Sequence, residues 1–207
     1  MQKIQYTIGV TGGSGSGKSY LIQSLRDRFG EDEVAILSQD NYYLSKDLQD
    51  IDHAGVENFD LPSSFAMLDF LGDFRKLLKS EVVQRLEYTY NNSMANAPMI
   101  ITKPAPIVLV EGLFVLHSAE MRDLLDLKVF VEASDVVKVK RRIIRDQNER
   151  NYPLEDVLYR YEFHVLPAYR SFIEPYRSYA DVIINNESSM DRGLELLTGF
   201  IRELLRR

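Results

Sequence analysis

Gly12-Gly13-Ser14-Gly15-Ser16-Gly17-Lys18-Ser19 matches the pattern G-x-x-x-x-G-K-[ST] in full. Each residue type has a physical reason. Glycines let backbone N–H groups turn inward around phosphate oxygens without Cβ clashes. The helix that should follow adds the positive end of its dipole. Lys18 is expected to reach the β- and γ-phosphates, and Ser19 to offer its hydroxyl to Mg²⁺. The segment marks the chain as a binder of a nucleoside triphosphate.

Two carboxylates and a basic cluster extend that chemistry. Ile107-Val108-Leu109-Val110 is an unbroken apolar run that ends in Glu111. A carboxylate at the end of such a strand can hold Mg²⁺ through water, although an acid at an ordinary strand end has the same appearance. Asp40, in Ser38-Gln39-Asp40-Asn41-Tyr42-Tyr43, follows the second strand. It can take or orient the proton of an attacking hydroxyl, or cap a turn. Lys138, Arg141, Arg142 and Arg145 recur on one side of a helix, opposite Val136, Val139 and Ile143. A charge run of this kind is usually a solvated face; beside a phosphate site it can neutralise the transferring phosphoryl group. The chain has no N-K-x-D motif and no L-S-G-G-Q-like signature, which disfavours GTPases and transport ATPases.

These residues need elements to position them. An apolar strand over 3–10 leads into the glycine loop, and a helix with Leu21, Ile22, Leu25 and Phe29 on one face runs to Gly30. A strand is expected over 33–39, an irregular polar stretch over 40–60 and a helix over 63–79. Residues 82–90 and 99–103 form a small hairpin around a turn-rich segment. Further strands fall at 107–110, 127–131 and 181–185. Further helices fall at 134–150, 154–176 (interrupted by Pro167) and 191–207. Strands alternating with helices predict an α/β fold: a parallel sheet of about five strands with helices on both faces.

The 207 residues fit one domain, 1–207, with a flap at about 82–103 and a lid at about 141–155. With 25 Lys and Arg against 31 Asp and Glu, the net charge is −6. That argues against a general nucleic-acid or anionic-membrane binder. Cysteine is absent, which excludes disulfides, thiolate zinc sites and Cys nucleophiles and fits a reducing compartment, the cytoplasm. No apolar run approaches ~18 residues, and residues 1–7 show no signal-peptide pattern. The expected partner is a small-molecule acceptor, since about 60 residues, 40–98, make a polar and aromatic insertion.

The chain resembles the uridine kinase family, within the uridine kinase/phosphoribulokinase group of P-loop kinases. The resemblance runs from Ile8 to about Asn185. It rests on the glycine loop, Gln39-Asp40-Asn41-Tyr42-Tyr43, Asn58-Phe59-Asp60-Leu61-Pro62 and Val110-Glu111-Gly112. It continues through Arg141-Arg142-Ile143-Ile144-Arg145-Asp146, Glu149-Arg150 and Tyr179-Ala180-Asp181-Val182-Ile183-Ile184. It implies ATP-dependent phosphorylation of a sugar hydroxyl, usually the 5′-hydroxyl of uridine or cytidine, with Mg²⁺. It implies that Asp40 positions or deprotonates the hydroxyl and shares the metal with Ser19 and Glu111. Asp60 and Arg142 would hold ribose hydroxyls, and Arg145 and Arg150 would approach the ATP phosphates from a lid. Tyr43, Tyr88 and Arg160 complete the substrate-binding set. The family often forms homo-oligomers.

The departures cluster where the family reads the base. Along Tyr88-Thr89-Tyr90-Asn91-Asn92-Ser93-Met94-Ala95, Ser93 stands where the family has His and Ala95 where it has Arg. Glu149-Arg150-Asn151-Tyr152 lacks a second lid Arg, and Arg160 replaces a Gln. Losing base-directed hydrogen bonds removes discrimination. The acceptor expected is therefore a nucleoside or nucleoside-like alcohol with altered or relaxed specificity. The alternatives are a non-nucleoside sugar or acidic metabolite, or a catalytically weak ATP-binding regulatory module. The three histidines, His53, His117 and His164, are expected to be structural or surface residues.

Overall fold

A computed structural model describes residues 4–89 and 96–207, and residues 149 and 150 without their side chains. The flap positions Tyr90, Ser93 and Ala95 and the side chain of Arg150 lie outside the described residues.

The chain enters through β1 (Tyr6–Thr11), the glycine loop and α1 (Lys18–Arg26), then β2 (Val34–Ser38). The stretch expected to be irregular contains short 3₁₀ turns and a two-residue antiparallel ladder of β3 (Asp50–Ile51) and β4 (Glu57–Asn58). Next come α2 (Met67–Leu78), the hairpin of β5 (Val83–Leu86) and β6 (Met99–Thr102), and β7 (Ile107–Glu111). The order continues with α3 (Ala119–Asp123), β8 (Leu127–Glu132), α4 (Asp135–Arg150), α5 (Leu154–Arg160), α6 (Leu166–Phe172), β9 (Val182–Asn185) and α7 (Asp191–Leu205). Among the described residues, no helix is long and apolar enough to cross a membrane.

Five parallel strands form one sheet in the order β2-β7-β1-β8-β9. Strand β7 shows why its sequence is a continuous apolar run. Ile107 and Leu109 join Leu21, Leu25, Leu194 and Ile201 in the core under α1 and α7. Val108 and Val110 join Phe70, Phe74 and Leu77 in the core under α2. A strand covered on both faces has no polar side to display.

Parallel register decides where the chemistry lands. Ser38 pairs with Glu111, and Glu111 pairs with Val10, one residue before the end of β1. The ends of three adjacent strands therefore bring an acid and a hydroxyl to the mouth of the glycine loop, outside the carboxyl edge where α/β ligands collect.

The expected break at Pro167 is displaced. Pro167 sits in the first turn of α6, where a missing N–H costs little. The irregularity falls just before it, as a π turn over Tyr161–Val165.

Candidate active site

The glycine loop is held from behind by its own carbonyl oxygens. Gly15 and Gly17 have φ of 81° and 107°. A Cβ at Gly15 would lie 2.5 Å from the Lys138 carbonyl oxygen, and one at Gly17 2.2 Å from Asn186 Nδ2. Both glycines thus serve close approach as well as backbone conformation. Asn186 Nδ2 donates to the Ser16 carbonyl at 2.8 Å. Arg141 donates to the Asn186 carbonyl at 3.0 Å and to the Gly15 and Ser16 carbonyls at 3.5 Å. These clamps consume acceptors, which a phosphate cradle does not need, and none of its N–H donors. The Lys18 ammonium donates to the carbonyls of Gly12 (2.8 Å) and Gly13 (3.2 Å). Burial lowers its pKa, while Glu111 and Asp40 oppose that shift.

Ser38 links the two acids of the site. Its hydroxyl donates to Glu111 Oε1 and accepts the Asp40 amide at 3.3 Å. Burial, and then the charge of Asp40, push the Glu111 carboxyl up to about 7. Two carboxylates crowded in a desolvated corner repel each other. With the Ser19 hydroxyl on the same cleft wall, they form a hard, oxygen-only donor set that suits Mg²⁺.

Helix α4 reverses the usual sense of amphipathicity. An apolar stripe ordinarily faces the core. Here Val136 is 75% exposed, whereas Lys138, Arg142 and Asp146 are 4%, 7% and 1% exposed. The helix packs on the phosphate loop, a surface of carbonyls and hydroxyls, so its charged side turns inward. Lys138 Nζ lies 3.5 Å from the Tyr169 ring centre and 2.8 Å from Asp135 Oδ1. Arg142 Nη1 donates to Ser14 Oγ at 3.1 Å and to Asp60 Oδ1 at 3.4 Å. Its Nε is 3.0 Å from Asp146 Oδ2, an ion-pair contact without hydrogen-bond alignment. Arg145 Nε donates to Asp146 Oδ1 at 2.9 Å. One buried carboxylate therefore contacts both Arg142, expected at the ribose hydroxyls, and Arg145, expected at the ATP phosphates, and the solvated-face alternative does not apply to Arg142.

The remaining wall is aromatic. Tyr43 packs against Phe65 and Tyr88, with ring centres 4.0 and 4.9 Å apart, and Asn41 Oδ1 accepts the Tyr88 amide at 3.2 Å. Arg160 Nη1 donates to the Glu57 carbonyl at 2.8 Å, and its guanidinium lies 5.8 Å from the Tyr152 ring centre.

A cleft of about 600 Å³ joins these parts. Of the residues expected from sequence, Ser14, Gly15, Gly17, Lys18, Ser19, Asp40, Tyr43, Asp60, Tyr88, Glu111, Arg142, Arg145 and Arg160 line it. Gly12, Gly13 and Ser16 stand behind the loop surface, with Ser16 fully buried. Arg150 lies outside the described side chains. None of the three histidines lines the cleft. His117 packs among Phe114, Phe172 and Tyr176, and His164 is buried. Ser38 and Asn186 carried no role in the sequence, and Lys138 and Arg141 only that of members of the basic cluster. Ser38 and Asn186 were traceable, because Ser38 ends β2 and Asn186 directly follows β9.

A profile of the phosphoribulokinase/uridine kinase family matches residues 7–192. The chain is 35% identical over 199 residues to a uridine kinase of Lactobacillus johnsonii, covering 96% of this chain and 94% of that one. It is 34% identical over 206 residues to a uridine kinase of Streptococcus gordonii, covering 100% and 98%. Among solved structures, phosphoribulokinase from Rhodobacter spheroides superposes with a TM-score of 0.60 at 17% identity, over 87% of this chain and 70% of that one. D-glycerate 3-kinase from Cryptococcus neoformans superposes with a TM-score of 0.62 at 13% identity, over 88% and 86%. At those identities the structural likenesses speak to the fold alone.

Proposed function

Since the chain belongs to the phosphoribulokinase/uridine kinase family, we propose that it moves the γ-phosphoryl group of ATP to a hydroxyl of a nucleoside or nucleoside-like acceptor, in the manner of a uridine or cytidine kinase. The observation that carries this reading is a single cleft. It contains the phosphate loop, the acids Asp40 and Glu111, and the Asp60–Arg142 pair backed by an aromatic wall.

The roles follow from chemistry and placement. Asp40 takes the proton of the attacking hydroxyl as its oxygen bonds to the γ-phosphorus, and the bond to the bridging oxygen of ADP breaks. Lys18, Arg142 and Arg145 offset the charge that spreads over the phosphoryl oxygens. When bound, Mg²⁺ would be held by Ser19, Asp40 and Glu111 and would neutralise phosphate charge. Asp60 offers a carboxylate to vicinal hydroxyls of the acceptor, with Arg142 setting its orientation. Arg142 also touches the phosphate loop through Ser14, so a lid over 141–155 that closed on acceptor and triphosphate would exclude water. A cysteine-free, ATP-consuming kinase suits the cytoplasm.

The test is ADP release from ATP across nucleosides, sugars and hydroxy acids. Acceptor-dependent release supports the kinase reading. Strong turnover of uridine or cytidine would refute altered specificity. ATP binding without acceptor-dependent release across the panel would favour the regulatory module.

A further inference from the structure

Asp52, outside the cleft, is a point of convergence. Its carboxylate accepts the amides of Ala54 and Val56, each at 2.9 Å, the Tyr159 hydroxyl at 2.8 Å and His164 Nε2 at 2.7 Å. An ionised carboxylate only accepts, so the partner at His164 Nε2 is a ring N–H donor. Desolvation alone would raise the Asp52 pKa, yet these bonds hold it below the usual carboxylate range. Two of the four bonds are local to the turn between β3 and β4. The other two reach it from α5 and the π turn that follows.

The spacing of those two is unusual. Tyr159 and His164 are five residues apart, and at about 100° per residue an α-helix would set them about 140° apart. The π turn over Tyr161–Val165 widens the helix here and lets both side chains meet one carboxylate. Next to Tyr159, Arg160 reaches into the cleft wall and donates to the Glu57 carbonyl on β4. Two residues beyond Glu57 come Phe59 and then Asp60, also in the cleft wall.

We propose that Asp52, Tyr159 and His164 form a latch that fixes Arg160 and the Phe59–Asp60 segment as one acceptor-facing wall. They act as positioning residues for acceptor specificity without touching the acceptor. Arg160, with no carboxylate within ion-pair distance among the described residues, is the group this latch presents to an oxygen-bearing part of the acceptor. This inference rests on reading the cleft as the acceptor site.

The test is a Tyr159→Phe/His164→Phe double variant, which cuts the bonds from α5 and the π turn and leaves the Asp52 turn intact. Hydrogen exchange on the full chain should quicken by about tenfold in both 50–58 and 154–165 and stay unchanged over 8–22. Single His164→Gln, which keeps a donor, should retain protection. With an acceptor that turns over, acceptor KM should rise about tenfold while ATP KM and kcat hold within about twofold. Unchanged exchange in 50–58, or loss of ATP and acceptor parameters together, would overturn the latch. If the parent protein turns over no acceptor, the kinase reading fails while the exchange result still decides whether the latch exists.

Discussion

The Ser38 hydroxyl donates to Glu111 across the ends of β2 and β7 while accepting the Asp40 amide. That bond favours the charged form of Glu111 against burial and against Asp40. Ser38→Ala should leave the fold intact and raise the Mg²⁺ concentration needed for half-maximal turnover by about tenfold. Metal titrations of both proteins at fixed ATP check this; identical curves would show that Ser38 does not support the metal site.

Glu111 is buried beside another acid, and burial and that charge both disfavour its ionised form. Glu111→Gln should raise the Tm of the metal-free protein by about 2–4 °C while lowering turnover by about a hundredfold. Calorimetry paired with the ADP-release assay measures both. A fall in both would mean that Glu111 serves the fold first.

Arg142 lies between two buried acids, Asp60 and Asp146. Arg142→Ala removes the ion-pair partner of Asp60, leaves Asp146 with Arg145 alone, and should cost about 3 kcal/mol of stability. Chemical denaturation gives the value. Asp60→Asn leaves the arginine its amide oxygen and should raise acceptor KM more than it changes stability.

Much of the site was legible in the sequence because its signals are local. The glycine loop is contiguous, and Glu111 ends an apolar strand. The inward-facing charges of α4 were not legible as such, since periodicity finds a face and not what that face packs against. Placing Lys138 and Arg142 inside required knowing that their neighbours are Gly13, the Tyr169 ring and Ser14. Ser38 needed parallel register to meet Glu111. Tyr159 and His164 fit no helical spacing, so only the π turn reveals them as a pair.

Acid sensitivity should report on Asp52. Its folded pKa lies below its unfolded value, so its stabilising contribution is present above about pH 4 and is lost as pH falls below it. The Tm gap between the parent and Asp52→Asn should therefore be larger at pH 6 than at pH 3. A gap that does not narrow at pH 3 would mean the carboxylate charge is not what its partners hold.

Asp40 is assigned to the acceptor hydroxyl, whereas the phosphate loop and Lys18 are assigned to the main hold on ATP. The most direct measurement pairs ATP titration calorimetry with acceptor-dependent ADP release for the parent and Asp40→Asn. The variant should bind ATP within a few-fold of the parent and lose turnover by about 10²–10⁴-fold. Full turnover in Asp40→Asn with ATP still bound would contradict it.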